Sequence, residues 1–150
     1  MAKFVYRMQN ILDIKNKMET QARSAYAQAR IKLDEEKDKL EMMFAVKSEL
    51  EKEYRRLASG TLNVQGLLEA RRGIDFQREA IKGQMVEIKV AEKNLEVARF
   101  RLREVMKERK TQEKLREKAF EDFLVELSDQ EKKEIDELVS YTYGQKTEES

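Results

Sequence analysis

Proline, cysteine and histidine are all absent from this 150-residue chain, and only five of its residues are glycine. Without proline, nothing removes a backbone donor or clashes with a preceding helical turn. Without cysteine there is no disulfide framework. Without histidine the usual general base near neutral pH is missing, and the Glu-x-x-His metal motifs of helical bundles cannot be built. The glycines fit neither nucleotide-binding fingerprint. Adjacent acids such as Glu35-Glu36 and Glu148-Glu149 point in different directions on a helix, so they read as solvated face and tail rather than as a catalytic pair. The chain is therefore expected not to be an enzyme, and no cofactor or metal is expected. Lysine plus arginine nearly balances aspartate plus glutamate, leaving a net charge of +1. The field that would attract nucleic acid or an anionic membrane is missing. No apolar run reaches the roughly 18 residues of a membrane span, and the opening Met1-Ala-Lys-Phe-Val-Tyr-Arg lacks a signal-peptide core. A soluble, cytoplasmic protein is expected.

What the chain does have is charge and heptads. Charged residues make up 41% of it, the profile of a coiled coil. One apolar line runs Phe4, Met8, Ile11, Lys15, Met18, Ala22, Ala25, Ala29, Leu33, Leu40, Met43, Lys47, Leu50, Tyr54 and Leu57. Its steps of three and four are those of a heptad, with a stutter between Ala25 and Leu33. A second line runs Ile74, Ile81, Met85, Ile88, Ala91, Leu95, Ala98, Leu102, Val105, Arg109, Gln112, Ala119 and Phe123. Pairs such as Glu35–Lys39 support the exposed faces. Between the lines lies Ser59-Gly60-Thr61-Leu62-Asn63-Val64-Gln65-Gly66, uncharged and with a glycine at or near each end. The expected fold is all-α: a long two-helix antiparallel coiled-coil hairpin with a short C-terminal helical extension, forming a single domain over residues 1–150. Its first arm spans about residues 4–58, the turn about 59–66, the second arm about 67–127 and the terminal helix about 129–140. Each arm would be roughly 80 Å long at 1.5 Å rise per residue.

A turn centred near Asn63 sets Phe4 opposite Phe123, Ile11 opposite Leu115, Tyr26 opposite Phe100 and Lys47 opposite Glu79. One placement satisfies several layers, which favours pairing within one chain and hence a monomer. Phe4 is used up opposite Phe123, yet the sequence continues. Ser128-Asp-Gln-Glu131 has capping-box spacing, and Ile135, Leu138 and Val139 follow at helical intervals. An apolar stripe with no partner in its own hairpin reads as an interaction surface. The collar of Arg55, Arg56, Arg71 and Arg72 about the turn reads as solvated and paired with nearby glutamates. Tyr54 and Phe76, at seam spacing, read as core before they read as a hot spot.

The two ends carry a resemblance. Phe4-x-Tyr6-Arg7-x-Gln9-x-x-Leu12-Asp13-x-Lys15, followed by Glu19, resembles the opening of the FliJ family of flagellar export proteins. Glu113-Lys114-Leu115-Arg116-Glu117-Lys118 is similar to the family's penultimate segment, and Glu134-Ile135-Asp136-Glu137 to its closing signature. The resemblance implies a soluble component of the flagellar type III export apparatus, like the central stalk of a rotary ATPase. Such a protein promotes ring assembly of the hexameric export ATPase and couples it to a membrane export gate protein. Export chaperones are further implied partners. It would sit in the cytoplasm, peripherally on the inner face of the membrane at the flagellar base. Carried over residue by residue, Phe4, Tyr6, Arg7, Gln9, Leu12, Asp13, Ile135, Asp136 and Glu137 would meet the ATPase, with Leu138 and Val139 of the same stripe. Leu50, Tyr54, Phe76 and Ala80 are candidates for the gate. Two alternatives remain at this stage: a coiled-coil spacer tethering two partners, and the analogous stalk of a virulence-type secretion system.

Overall fold

The structure, a computed structural model, describes residues 3–61 and 63–148. Leu62 of the expected turn and Glu149 and Ser150 of the tail lie outside the described residues. Two helices account for nearly all of it, α1 (Gln9–Ser59) and α2 (Val64–Glu148). They form the expected antiparallel helical hairpin. Residues 3–8 precede α1 without being helical, and the chain enters the helix where Tyr6 O accepts from Gln9 N at 3.1 Å and Met8 O accepts from Leu12 N at 3.1 Å. Asn63 caps α2: its Oδ1 accepts from Gly66 N at 3.1 Å and its carbonyl from Leu67 N at 3.0 Å, satisfying donors that a helix start otherwise leaves orphaned. Ser128-Asp-Gln-Glu131 lies inside α2 rather than capping a new helix, and the polar segment from Gly144 stays helical to Glu148.

The chain divides into two compact units, one of residues 20–103 and one combining residues 1–19 with 104–150. In the first, the α1 line Ala22, Tyr26, Ala29, Leu33, Glu36, Leu40, Met43, Lys47, Leu50, Tyr54, Leu57 is buried or half-buried throughout. So is the α2 line Leu67, Ala70, Ile74, Gln77, Ile81, Gln84, Ile88, Ala91, Leu95, Ala98, Leu102. Steps of three and four alternate without a break, so the expected stutter is absent: Tyr26, not Ala25, takes the inward position. Met85 is likewise exposed and Gln84 buried. Tyr26 does not meet Phe100; the Arg99 guanidinium lies over its ring at 5.9 Å and Phe100 is exposed. Lys47 pairs with Glu51 at 3.7 Å and Glu79 with Lys82 at 3.2 Å, each along its own helix.

Two seam positions of α2 carry glutamine, and both are satisfied. Gln77 Nε2 donates to Met43 O at 3.1 Å. Gln84 Nε2 donates to Glu36 O at 2.8 Å and to the Glu36 carboxylate at 2.5 Å. Lys32 and Lys39 reach the same carboxylate at 2.8 and 3.3 Å. A buried carboxylate is costly unless it is paired and hydrogen-bonded, and Glu36 meets both conditions. The hydrogen bond from Lys32, then that from Gln84, holds its pKa at about 2. The folded pKa is depressed, so the stability this contributes is present above the usual carboxylate range and lost as pH falls through about 2. The melting-temperature difference between the wild type and Glu36→Gln is therefore expected to hold steady at neutral pH. It should shift steadily against the wild type as pH drops from the ordinary glutamate range toward that value. A difference independent of pH over that window would show that the carboxylate is not held as described.

Gly83 of α2 has nothing within 4 Å of where a Cβ would lie, and its φ is not positive. Gly83→Ala is expected to raise stability by about 0.5–1 kcal/mol through helix propensity alone, read as a higher melting temperature. An unchanged or lower value would mean that the glycine has a role beyond the helix.

In the other unit, Val105 is 1% exposed and Leu12 is 6%. Ile11 and Met8, expected in the seam, are 37% and 41% exposed, so Ile11 does not face Leu115 in a core layer. The reason is local: residues 3–8 are not helical, so helical spacing cannot be counted from Phe4 through Met8. The buried set is Tyr6, Leu12, Glu19 and Val105.

Candidate docking site

The unit that joins residues 3–19 to the latter part of α2 gathers most of the terminal residues singled out from the sequence. Phe4 meets Phe123 as expected, ring centroids 5.5 Å apart, and it also sits edge-on to Phe120 at 5.0 Å. Arg116 lies over the Phe4 ring at 5.6 Å, and its Nε donates to Gln9 Oε1 at 3.1 Å. Gln9 Nε2 in turn donates to Asp13 Oδ1 at 3.0 Å. The Tyr6 hydroxyl donates to Gln112 Oε1 at 3.3 Å. Gln9 and Asp13 are thus held in one polar chain with Arg116, while Tyr6 and Leu12 are buried. Leu12 builds the site from within, and Tyr6, though buried, still borders its cavity.

Behind this cluster the unit is pinned by charge. Lys15 Nζ meets Glu108 Oε2 at 2.9 Å, and Arg109 Nη1 meets Glu113 Oε2 at 2.8 Å. Arg109 Nε also abuts the buried Glu19 carboxylate, as an ion contact lacking the alignment of a hydrogen bond. The hydrogen bond to Glu113, then the charge of Glu19, raises the Arg109 pKa above its ordinary value. These bridges fix where residues 3–13 sit against α2.

The exposed part is a cavity of about 730 Å³ lined by Phe4, Val5, Tyr6, Arg7, Met8, Ala119, Asp122, Phe123 and Glu126. Arg7 stands at its edge with the carboxylates Asp122 and Glu126. Farther along α2, Ile135, Leu138, Val139 and Tyr141 are exposed large hydrophobic side chains. Asp136 and Glu137 are exposed beside them. At 1.5 Å per residue, Ile135 lies about 18 Å beyond Phe123 along the helix. The terminal candidates therefore form two surfaces: an aromatic shelf around Phe4 and a stripe around Leu138. Sequence reasoning missed Phe120, Gln112 and Arg116 as partners of the opening residues. The Phe120/Phe123 spacing of three on one helix face was the available signal.

The other unit holds the remaining candidates, and they are not all brought together. Leu50, Tyr54 and Ala80 are half-buried at or beside the seam. Phe76, read from spacing as core, is 75% exposed. Tyr54 lines a cavity of about 350 Å³ with Glu51, Arg55, Arg71, Ile74, Asp75 and Arg78. Of the arginine collar, Arg56 is paired with Glu53, Nε to Oε2 at 3.0 Å, whereas Arg55 and Arg71 face that cavity. No described helix is long and apolar enough to cross a membrane, and the described residues contain no group of three or more acidic side chains placed to hold a metal ion.

The fold has a solved counterpart. The structure of a YscO homolog from Chlamydia trachomatis is similar with a TM-score of 0.81 and 21% identity, covering 99% of this chain and 100% of that one. A comparison with curated protein sequences finds no significant match. The model of the family described as flagellar FliJ protein matches residues 4–148. The match takes in the Phe4 shelf, the seam and the Leu138 stripe alike, and on it the chain belongs to the flagellar FliJ protein family.

Proposed function

We propose that this protein is the stalk-like coiled coil of a flagellar type III export apparatus, promoting assembly of the hexameric export ATPase and coupling it to the membrane export gate. Family membership carries the coarser part, a non-enzymatic component of the export machinery. The finer part rests on one observation above all: Ile135, Leu138 and Val139 are exposed on a stretch of α2 beyond the aromatic shelf. Large exposed apolar side chains at helical spacing suit a partner's groove. The shelf, edged by Arg7, Asp122 and Glu126, supplies a second contact near the N-terminus. Gate contact is assigned to the turn-proximal unit, where exposed Phe76 stands on α2 a few residues from the half-buried Ala80. Association with export chaperones, and peripheral placement at the flagellar base, belong to the same reading.

The test is ATP hydrolysis by the purified export ATPase with and without the full chain, beside sedimentation of the ATPase to follow ring assembly. Stimulation with a shift toward the hexamer is expected. A chain that leaves both unchanged is a spacer, tethering other partners without acting on the ATPase.

A further inference from the structure

The seam of the first unit occupies one face of α2. A second heptad line runs along the opposite face: Val86, Val90, Lys93, Val97 and Phe100, at steps of four, three, four and three. Val97 is 61% exposed and Phe100 62%, with Val86 and Val90 also exposed. Scattered surface apolar residues need no explanation, but a regular stripe of them does. Here the seam is already supplied by Gln84, Ile88, Ala91, Leu95, Ala98 and Leu102, so the hairpin has no use for the outer line. At 1.5 Å per residue it is about 21 Å long, the span of some four helical turns.

The charges beside it are equally regular. Elsewhere on α2, cations are closed by acids one turn away, as in Arg78–Asp75, Lys82–Glu79 and Lys107–Glu104. Along the outer stripe, Lys89, Lys93, Arg101 and Arg103 form no ion pair among the described residues. Glu87, Glu92 and Glu96 are the acids beside this line, and none follows Glu96 until Glu104. Arg99 is taken up by Tyr26, which leaves Arg101 and Arg103 flanking Phe100 as open cations. Apolar side chains at heptad spacing with cations on both flanks make half of a helix–helix seam whose complement is apolar and acidic.

We propose that the Val86–Phe100 face of α2 docks an acidic amphipathic helix of a partner protein. The partner's apolar side chains lie along Val86, Val90, Val97 and Phe100, and its carboxylates lie beside Lys93, Arg101 and Arg103. Regular apolar spacing favours a helix over nucleic acid, which offers valine no counterpart. This face is separate from the surfaces assigned to the ATPase and the gate, so it stands or falls independently of them.

The probe is a fluorescein-labelled synthetic peptide about three heptads long, with leucine at the two core positions and mostly glutamate elsewhere. Its controls are the same peptide with lysine for glutamate and one with the leucines scrambled. Fluorescence anisotropy against the full-length protein is expected to show saturable binding of the acidic amphipathic peptide alone. Arg101→Glu with Arg103→Glu is expected to weaken it by about tenfold or more, and Val97→Ser with Phe100→Ser similarly. Circular dichroism should stay unchanged in both, because none of the four faces the seam. No binding, equal binding of the lysine or scrambled peptide, or variants that bind like the wild type would each overturn the proposal. Concentration-dependent self-association that Phe100→Ser removes would also overturn it, giving the face to a second copy, whose α1 offers Ile31, Glu35, Asp38 and Met42 in a matching line.

Discussion

Replacing Ile135 and Leu138 together with aspartate is expected to abolish stimulation of the export ATPase while leaving helix content and melting temperature unchanged. Both side chains are exposed, and substitutions at exposed sites away from special features stay within about 0.5 kcal/mol of the wild type. If the stripe lies in a partner's groove, each aspartate becomes a carboxylate taken out of water without a counter-ion, which costs several kcal/mol. A loss of about 3–4 kcal/mol weakens binding by two to three orders of magnitude, enough to silence stimulation at ordinary protein concentrations. Steady-state hydrolysis by the purified ATPase, run beside circular dichroism of the variant, measures both halves. Wild-type stimulation by the folded double variant would remove the stripe from the ATPase contact.

The second large effect concerns two neighbours, Leu12 and Ile11. Leu12→Ala is expected to lower the unfolding free energy by about 2–5 kcal/mol, the range for truncating a buried leucine. Ile11→Ala should change it by about 0.5 kcal/mol or less. The side chains are adjacent in sequence and alike in size, and only the first is buried, 6% exposed against 37%. Urea unfolding followed by circular dichroism reads the difference directly. Equal losses, or a larger loss for Ile11→Ala, would restore the register in which Met8 and Ile11 form the seam.

That contrast also shows which parts of the fold the residues declare by themselves. The absence of proline, the two heptad lines and the uncharged break at 59–66 are sufficient for an antiparallel two-helix hairpin. They are sufficient too for the meeting of Phe4 with Phe123. The errors have two origins. Glu36, Gln77 and Gln84 look unlike seam residues because they are polar, and apolar Met85 looks like a better one than Gln84, so the line slips by a residue there. At Met8 and Ile11 the slip comes from counting helical spacing through the non-helical residues 3–8. Lys32 and Lys39 stand one turn to either side of Glu36, but the Gln84 amide that meets Glu36 and the Met43 carbonyl that meets Gln77 come from the facing helix, and nothing in a local window announces them. Phe76 fails the other way: an aromatic at near-seam spacing reads inward and stands outward. Of the candidate docking site, the opening motif and the Ile135 stripe are legible from composition and resemblance. The polar chain Asp13–Gln9–Arg116 is not, because it depends on where the non-helical residues 3–8 lie against α2.

The reading turns on which surface faces the ATPase, and the cysteine-free sequence makes that directly measurable, since any introduced cysteine is unique. Val139→Cys and Phe76→Cys, each exposed in the native residue, would carry a photoactivatable cross-linker in the full chain, mixed with the purified export ATPase and nucleotide. The account predicts an adduct with the ATPase from position 139 and none from position 76. An adduct from position 76 with none from 139 would contradict it, placing the turn-proximal unit at the ring.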